Sequence, residues 1–219
     1  MSQLHDMMDV ALFPIPDCVV FPGTVFPLHV FEPRYRAMVK HCAETGMDLG
    51  VCHVEKLIHS AKPGQTVEQT LNSKQATYKP VKVFSAGRCV IEETFADGRL
   101  RVAMHADKRL QALSEIQTLP FSIYDCKEYA DVSLTDNDLA DAEALKDKVS
   151  HRLLAVLSSV PELCDLLNSP EFQSLAPQAF SFSLFKFLRF SPELQQTILE
   201  SQSPRERLDI ILEILNKAH

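Results

Sequence analysis

The sequence predicts an α+β fold, in which a half rich in β-strands is followed by a helical half. In residues 12–129 the apolar residues stand in short runs rich in Val, Ile, Thr and Phe, separated by Pro, Gly and Asp-Gly turns, as is typical of strands. From residue 138 onwards apolar residues recur every three or four positions, as is typical of helices. Strands followed by helices indicate two subdomains, which we predict over residues 1–132 and 133–219.

The first strands lie in a proline-rich stretch, residues 12–31. Its four prolines exclude a helix, because each ring removes an N–H donor and disfavours helical geometry in the residue before it. The apolar runs between the prolines predict strands over residues 12–15, 19–21 and 26–31. Pro22-Gly23 is the predicted turn between the last two strands.

A helix is predicted after Glu32, because Pro33 suits a first helical position and Gly46 suits a helix stop. Four residues are spaced to share its apolar face: Tyr35, Met38, Val39 and Cys42. Residues 49–54 have the composition of a strand. Residues 55–76 are polar and lack a period, so we predict an exposed loop there, with a flap over a binding groove as the alternative.

Further strands are predicted over residues 77–85, 87–95, 100–105 and 121–129. Asp97-Gly98 between two alternating runs is a strong signal for a β-hairpin. In its second strand Leu100, Val102 and Met104 are expected to face the core and Arg101, Ala103 and His105 the other side.

The helical half begins with a long predicted helix over residues 138–159, with Thr135 or Asp136 as its cap. A short helix over 162–168 follows Pro161. Residues 179–190 hold five phenylalanines on a helical register, which predicts a helix buried on more than one side. Ser191-Pro192 and Ser203-Pro204 open two closing helices, the second with a capping box to Glu206.

The opening stretch also carries a family resemblance. Its matching segments are Leu12-Phe13-Pro14, Val19-Val20-Phe21-Pro22-Gly23, Pro27-Leu28 and Phe31-Glu32-Pro33-Arg34-Tyr35. They resemble the start of the amino-terminal, substrate-binding domain of Lon protease, which precedes the ATPase in Lon and also occurs alone in short bacterial proteins. The resemblance implies a PUA-like, partly closed β-barrel of about six strands and one helix over residues 1–132, followed by an α-helical bundle over 133–219. It also implies a role in binding polypeptide, without a catalytic residue.

Later segments carry the same resemblance. Residues 87–91, 97–98 and 108–110 lie where the Lon domain has a Gly-Thr strand, a hairpin and an Arg-Phe pair. Three residues depart from its usual ones: Arg88, Ala106 and Leu110. The closing helices match at Gln196, Leu199, Glu200, Arg207 and Leu208.

Composition and motifs argue against several classes of function. The net charge of −7 argues against a broad nucleic-acid surface, which needs a basic stripe. None of the six glycines stands in a phosphate-binding motif, and GxSxG and HExxH motifs are absent from the sequence, so we expect neither an enzyme nor a cofactor.

No apolar run reaches the roughly 18 residues that span a bilayer, and the first ten residues do not have the pattern of a secretory signal. These features predict a cytoplasmic protein without a membrane partner.

The cysteines are predicted to be reduced and mostly buried, because all six stand singly among apolar neighbours. His41-Cys42 and Cys52-His53 together offer two sulfur and two nitrogen donors for a metal ion. Adjacent residues point to different sides of a helix or strand, however, so we expect no metal site.

The candidate binding residues lie in the opening stretch. Pro22, Phe26, Phe31 and Tyr35 are predicted exposed apolar contacts, with core packing as the alternative for such residues. If Leu28 and Val30 face the core, His29 faces outward, either as a plain surface residue or in a groove shared with Glu32 and Arg34. These seven residues form the predicted peptide-binding site.

The resulting hypothesis is a non-catalytic module that binds unfolded or exposed apolar segments of other proteins. It would act as an adaptor, competitor or holdase in protein quality control, together with components of a proteolytic system. The alternative is a small-molecule or nucleotide sensor that uses a barrel pocket, and RNA binding is the least supported of the three.

Overall fold

The computed structural model describes residues 7–59 and 77–217 of the chain. The chain divides into two compact units, Met1–Ala130 and Asp131–His219. The first is built mainly of strands and the second of helices. The predicted division into subdomains over residues 1–132 and 133–219 stays a prediction.

Eight strands and one helix make up the described part of the first unit. They are β1 (Met8–Pro14), β2 (Thr24–Val30), α1 (Pro33–Thr45), β3 (Asp48–Cys52), β4 (Val54–His59), β5 (Thr77–Pro80), β6 (Val83–Thr94), β7 (Leu100–Gln117) and β8 (Ile123–Glu128). Six strands form one sheet in the order β2-β7-β6-β3-β1-β8, and β8 also pairs with β7, so five strands close into a ring. β2 extends the sheet from the first half of β7. The predicted partly closed barrel of about six strands is therefore confirmed.

Two apolar clusters lie on opposite faces of this sheet. One includes Val10, Leu12, Phe84, Leu110 and Cys126. Its buried members come from the strands of the ring and from the loop residue Val81, and none comes from β2 or α1. This cluster therefore fills the inside of the ring. The other cluster joins the inner faces of β2 and α1 to β3, β6 and β7.

Helix α1 agrees with its prediction in bounds and in orientation. Tyr35, Met38, Val39 and Cys42 are its buried residues. Gly46 has a φ of 76°, and its N–H donates to the Cys42 carbonyl, so it ends the helix as expected. This left-handed conformation is one that glycine adopts without steric cost.

The predicted strand at residues 19–21 is wrong, because side chains rather than a neighbouring strand bind its carbonyl groups. The hydroxyl of Ser85 donates to the Val20 carbonyl at 2.6 Å, and the hydroxyl of Thr24 donates to the Phe21 carbonyl at 2.6 Å. The segment stays buried at Val20 and Phe21 while running as a loop.

Two other boundaries differ from prediction. β4 continues to His59, so residues 55–59 belong to a strand paired with β5 and not to a loop. Residues 60–76, with the flap proposed for them, lie outside the described residues. The predicted strand at 77–85 is two strands in different sheets, because the chain after Pro80 turns to pair with β3 and β7.

The β6–β7 hairpin is confirmed, with a turn in which the Phe95 N–H donates to the Arg99 carbonyl at 2.9 Å. Leu100, Val102 and Met104 are buried, while Arg101 and His105 are exposed. Ala103, on the same side as Arg101 and His105, is buried as well. β7 is much longer than predicted, because its first half pairs with β2 and its second half with β8.

The second unit is helical. Its elements are α2 (Asp136–Val156), α3 (Pro161–Leu167), α4 (Pro170–Gln173), α5 (Pro177–Ser183), a 3₁₀ turn (Leu184–Lys186), α6 (Pro192–Glu200) and α7 (Pro204–Lys217). Thr135 caps α2 in a capping box with Asp138. At α7 the Glu206 N–H donates to Ser203 Oγ, but the Glu206 carboxylate binds Ser201 Oγ instead of completing the predicted box.

The predicted single helix over residues 179–190 is wrong in its second half. Helix α5 tightens into the 3₁₀ turn and the regular structure ends at Lys186. Ser181 and Ser183 donate their hydroxyls to the carbonyls of Gln178 and Phe180, and local bonds of this kind compete with the hydrogen bonds of a regular helix.

Candidate functional site

Strand β2 lies at an edge of the six-stranded sheet. It pairs with β7 from Thr24 opposite Ala106 to Val30 opposite Leu100. Within residues 7–59 and 77–217 it pairs with no other strand. Pro27, in its middle, fits this position, because proline in a sheet is tolerated at an edge where its nitrogen faces solvent.

The side chains of β2 alternate between core and solvent. Leu28 and Val30 are buried, whereas Val25 is 60% exposed and Pro27 and His29 are also exposed. Phe31, just beyond the strand, is 37% exposed. The prediction that His29 faces outward opposite Leu28 and Val30 is confirmed.

The outward side of β2 continues across β7 and β6. Directly opposite residues share one face of a sheet, and neighbouring strands lie about 4.8 Å apart. Pro27 is opposite Ala103, which is opposite Val90 on β6. Val90 is 50% exposed. An apolar strip about 10 Å long therefore crosses three strands. In it Pro27 and Val90 are exposed, Ala103 between them is only 7% exposed, and the exposed Val25 lies beside it.

Polar residues border this strip on both sides. One border is the row of His105 and Arg88, which are opposite each other. The other border is His29 with Arg101, whose guanidinium contacts the carboxylates of Glu92 at 3.4 Å and Glu93 at 3.0 Å. We call the whole surface the outer face: Val25, Pro27, His29, Arg88, Val90, Arg101, Ala103 and His105.

The apolar residues predicted near this face differ in exposure. Phe31 is exposed as predicted. Pro22 and Phe26 are half-buried, and Phe26 packs against the cluster under α1. Phe26 occupies the same alternate positions along β2 as the buried Leu28 and Val30, and it therefore faces inward.

Three predicted residues serve the start of α1 instead. Tyr35 is only 7% exposed and stacks on Phe13 at 4.1 Å between ring centroids, so the prediction of an exposed Tyr35 is wrong. The Arg34 guanidinium lies 4.4 Å from the Tyr35 ring centroid and binds the Glu32 carboxylate at 3.0 Å. Because Glu32 and Arg34 are paired and largely buried, they offer little surface for a groove shared with His29.

Sequence reasoning missed Val25, Val90 and Ala103. Val25 could have been found, because it has the same parity as His29 in a strand whose inner residues were identified. Val90 and Ala103 join it only through the register of β6 and β7, which local sequence does not contain.

The potential metal ligands do not converge. In the part of the chain that the structure describes, no group of three or more His, Cys, Asp or Glu side chains is placed to hold a metal ion. His53 Nδ1 accepts a hydrogen bond from the Asp17 N–H at 3.1 Å, and the Cys52 thiol is buried. Among the described helices none is both long and apolar enough to cross a membrane.

Two solved structures share this fold. One is the N-terminal domain of a Lon protease from the Mycobacterium avium complex, with a TM-score of 0.66, 17% identity and coverage of 96% of this chain and 100% of that one. The other is a Lon N-terminal domain protein from Xanthomonas campestris, with a TM-score of 0.56, 20% identity and coverage of 94% and 98%.

Sequence comparison leads to the same family. Lon protease 1 of Herpetosiphon aurantiacus is 22% identical over 218 residues, which cover 95% of this chain and 24% of that protein. This chain thus spans about a quarter of the length of that curated relative. Residues 9–217 match the substrate-binding domain of the ATP-dependent protease La (Lon), and the chain therefore belongs to this family.

Proposed function

We propose that this protein is a non-catalytic module that binds unfolded or exposed apolar segments of other polypeptides at its outer face. Family membership supports substrate recognition in general. The observation that carries the assignment to this surface is the apolar strip, in which Pro27 and Val90 are exposed on either side of the buried Ala103, with the exposed Val25 beside it. An apolar strip bordered by polar residues is typical of a surface that binds another chain.

The exposed valines set the scale of the expected affinity. Covering the exposed half of Val25 and of Val90 contributes roughly 1 kcal/mol each. Pro27 lacks an N–H, so a strand added along the open edge of β2 would lose a main-chain bond there, and side-chain contacts with the strip must contribute. We expect weak binding, on the order of tens of micromolar, because ordering a flexible segment offsets much of the gain.

Of the seven predicted site residues, His29 lies in the outer face, and Phe31 is exposed just beyond the end of β2. Pro22 and Phe26 are half-buried, with Phe26 packed against the cluster under α1, and Glu32, Arg34 and Tyr35 support the start of α1. We propose further that the protein acts as a cytoplasmic adaptor, delivering bound segments to components of a proteolytic system.

A small-molecule pocket inside the barrel has less support. Phe84 and Leu12 fill the ring at Gly50, where an added methyl group would lie 2.5 Å from the Phe84 ring and 2.9 Å from the Leu12 side chain. Side chains therefore occupy the ring interior at this position.

Titration of a fluorescent unfolded protein tests the proposal. The probe is a reduced and carboxymethylated globular protein, and binding is followed by fluorescence anisotropy. We expect saturable binding, weakened about 30-fold by the double substitution Val25→Ser and Val90→Ser, because roughly 1 kcal/mol per valine gives roughly 2 kcal/mol in all.

The matched control is Val132→Ser, because Val132 is 51% exposed in the second unit. This control should leave binding unchanged, and circular dichroism should show that every variant is folded. Absence of binding at 100 µM, or equal weakening by the control, would disprove the proposal.

A further inference from the structure

The open edge of β2 carries little that would keep it from pairing with another chain. In the part of the chain that the structure describes, β2 pairs with β7 alone. Natural edge strands are commonly protected by charged side chains, by a β-bulge or by a proline. The seven residues of β2 include no Asp, Glu, Lys or Arg, and they pair with β7 without a shift in register. Of these three devices β2 has only the proline, at Pro27.

Apart from Pro27, the composition of β2 is that of a segment that pairs readily with a further strand. It contains Thr, Val and Phe, which are enriched in strands. Short segments with high β-propensity and low net charge are prone to associate with copies of themselves. Val25 is 60% exposed beside the edge, so a second chain would cover apolar surface. Since the same uncharged strand would approach from a second copy of this protein, no like charges on the two strands would oppose the contact.

The main chain of Pro27 belongs to the open edge. Alternate residues of a strand turn their N–H and C=O groups toward opposite neighbours. The pairing of β2 with β7 continues through Pro27 without interruption, and a proline in a sheet has its nitrogen toward the open side. Val25, Pro27 and His29 are therefore the residues of β2 whose main-chain groups face the edge. Pro27 has no N–H and can offer only its carbonyl there.

Antiparallel pairing of two β2 strands would lose one donor from each copy. With the twofold axis at Pro27, the two prolines are opposite each other and Val25 is opposite His29 of the second copy. Each hydrogen-bonded pair of such a ladder exchanges two bonds, so three pairs would exchange about six, of which the two prolines remove two. A register moved by two residues places each Pro27 opposite Val25 of the other copy, and each copy again lacks one donor. We propose that Pro27 keeps β2 from pairing with β2 of a second copy and thereby holds this edge open. This role does not require that the outer face bind polypeptide.

Sedimentation velocity of the full chain over a range of concentrations tests this role. The substitution Pro27→Val restores the missing N–H with a residue of high β-propensity. Because two main-chain hydrogen bonds are gained in the dimer, its dissociation constant should fall about tenfold or more relative to that of the wild-type chain. Hydrogen exchange locates the contact: the amides of Val25 and His29 should become protected as the Pro27→Val variant associates.

The matched control is His29→Val, which adds an apolar, strand-forming side chain to the same edge without adding a main-chain donor. It should change the dissociation constant much less than Pro27→Val does. If circular dichroism shows that Pro27→Val is not folded, Pro27→Ala restores the same N–H with a smaller side chain and takes its place. Self-association no stronger than that of the wild-type chain, equal strengthening by His29→Val, or association without protection of the β2 amides would overturn the inference. Wild-type dimers with protected β2 amides would overturn it as well.

Discussion

Arg207 holds together the second unit, and its removal is expected to destabilise that unit strongly. The side chain is 0% exposed and its two terminal nitrogens contact the Asp131 carboxylate at 2.6 and 2.7 Å. Its Nε donates to Ser181 Oγ at 2.9 Å, one terminal nitrogen also donates to the Ser201 carbonyl at 2.9 Å, and the guanidinium lies 4.1 Å from the Phe182 ring centroid.

The magnitude follows from what Arg207→Ala leaves behind. Removing one partner of a buried ion pair costs about 3–5 kcal/mol, because the remaining charge stays out of water without compensation. The Asp131 side chain is 16% exposed and keeps some water, so the lower part of that range applies. We expect a loss of about 3–4 kcal/mol.

Urea unfolding followed by the helical circular dichroism signal measures this loss. The matched control is Arg205→Ala, because Arg205 is half-exposed and lies 3.4 Å from Asp141, an exposed pair worth less than about 1 kcal/mol. The double substitution Arg207→Met and Asp131→Leu should cost less than Arg207→Ala alone, since it leaves no unpaired charge. If Arg207→Ala lies within 0.5 kcal/mol of Arg205→Ala, the assignment of Arg207 as a stabilising centre is refuted.

Three further predictions concern single positions. Gly87→Ala places a methyl group 1.9 Å from the His105 carbonyl oxygen and should lower stability by about 2 kcal/mol or more in thermal melts; an unchanged melting temperature would contradict this. Thr135→Ala removes the capping box with Asp138 and should cost about 1 kcal/mol in urea unfolding, and a neutral result would show that the cap is dispensable. Burial raises the pKa of Cys18 to about 11 from 9.0, so at pH 8 its alkylation should be about 100-fold slower than that of a free thiol and rise about tenfold per pH unit; a rate equal to that of a model peptide would refute this.

Much of the fold could be predicted where local chemistry decides it. The helix stop at Gly46, the turn at Asp97-Gly98 and the cap at Thr135 each depend on a few neighbouring residues, and each agrees with the structure. The strand predicted at residues 19–21 is wrong because the Val20 carbonyl accepts a hydrogen bond from the Ser85 hydroxyl and not from a neighbouring strand. Ser85 is 65 residues away from Val20 along the chain. Local composition contains no information on such a partner.

The burial of a charged residue can also depend on a partner that is distant in sequence. Arg207 stood in a segment that matched the family, but the sequence did not show that it is buried. Its carboxylate partner Asp131 is 76 positions away, at the point where the strands give way to helices. An arginine on an amphipathic helix is normally expected at the surface, so only tertiary structure could distinguish this one from the exposed Arg205.

The outer face could be predicted from the sequence only in part. Its first strand was predictable, because Leu28 and Val30 define the inner side of β2 and therefore place His29 and Val25 outward. The extent of the face across β7 and β6 was not predictable, because only the pairing of the three strands places Val90 in line with Pro27. Alternate residues of β2 thus have different surroundings: Leu28 and Val30 pack in the core that fixes the strand, while Val25 and Pro27 are exposed, as the proposed site requires.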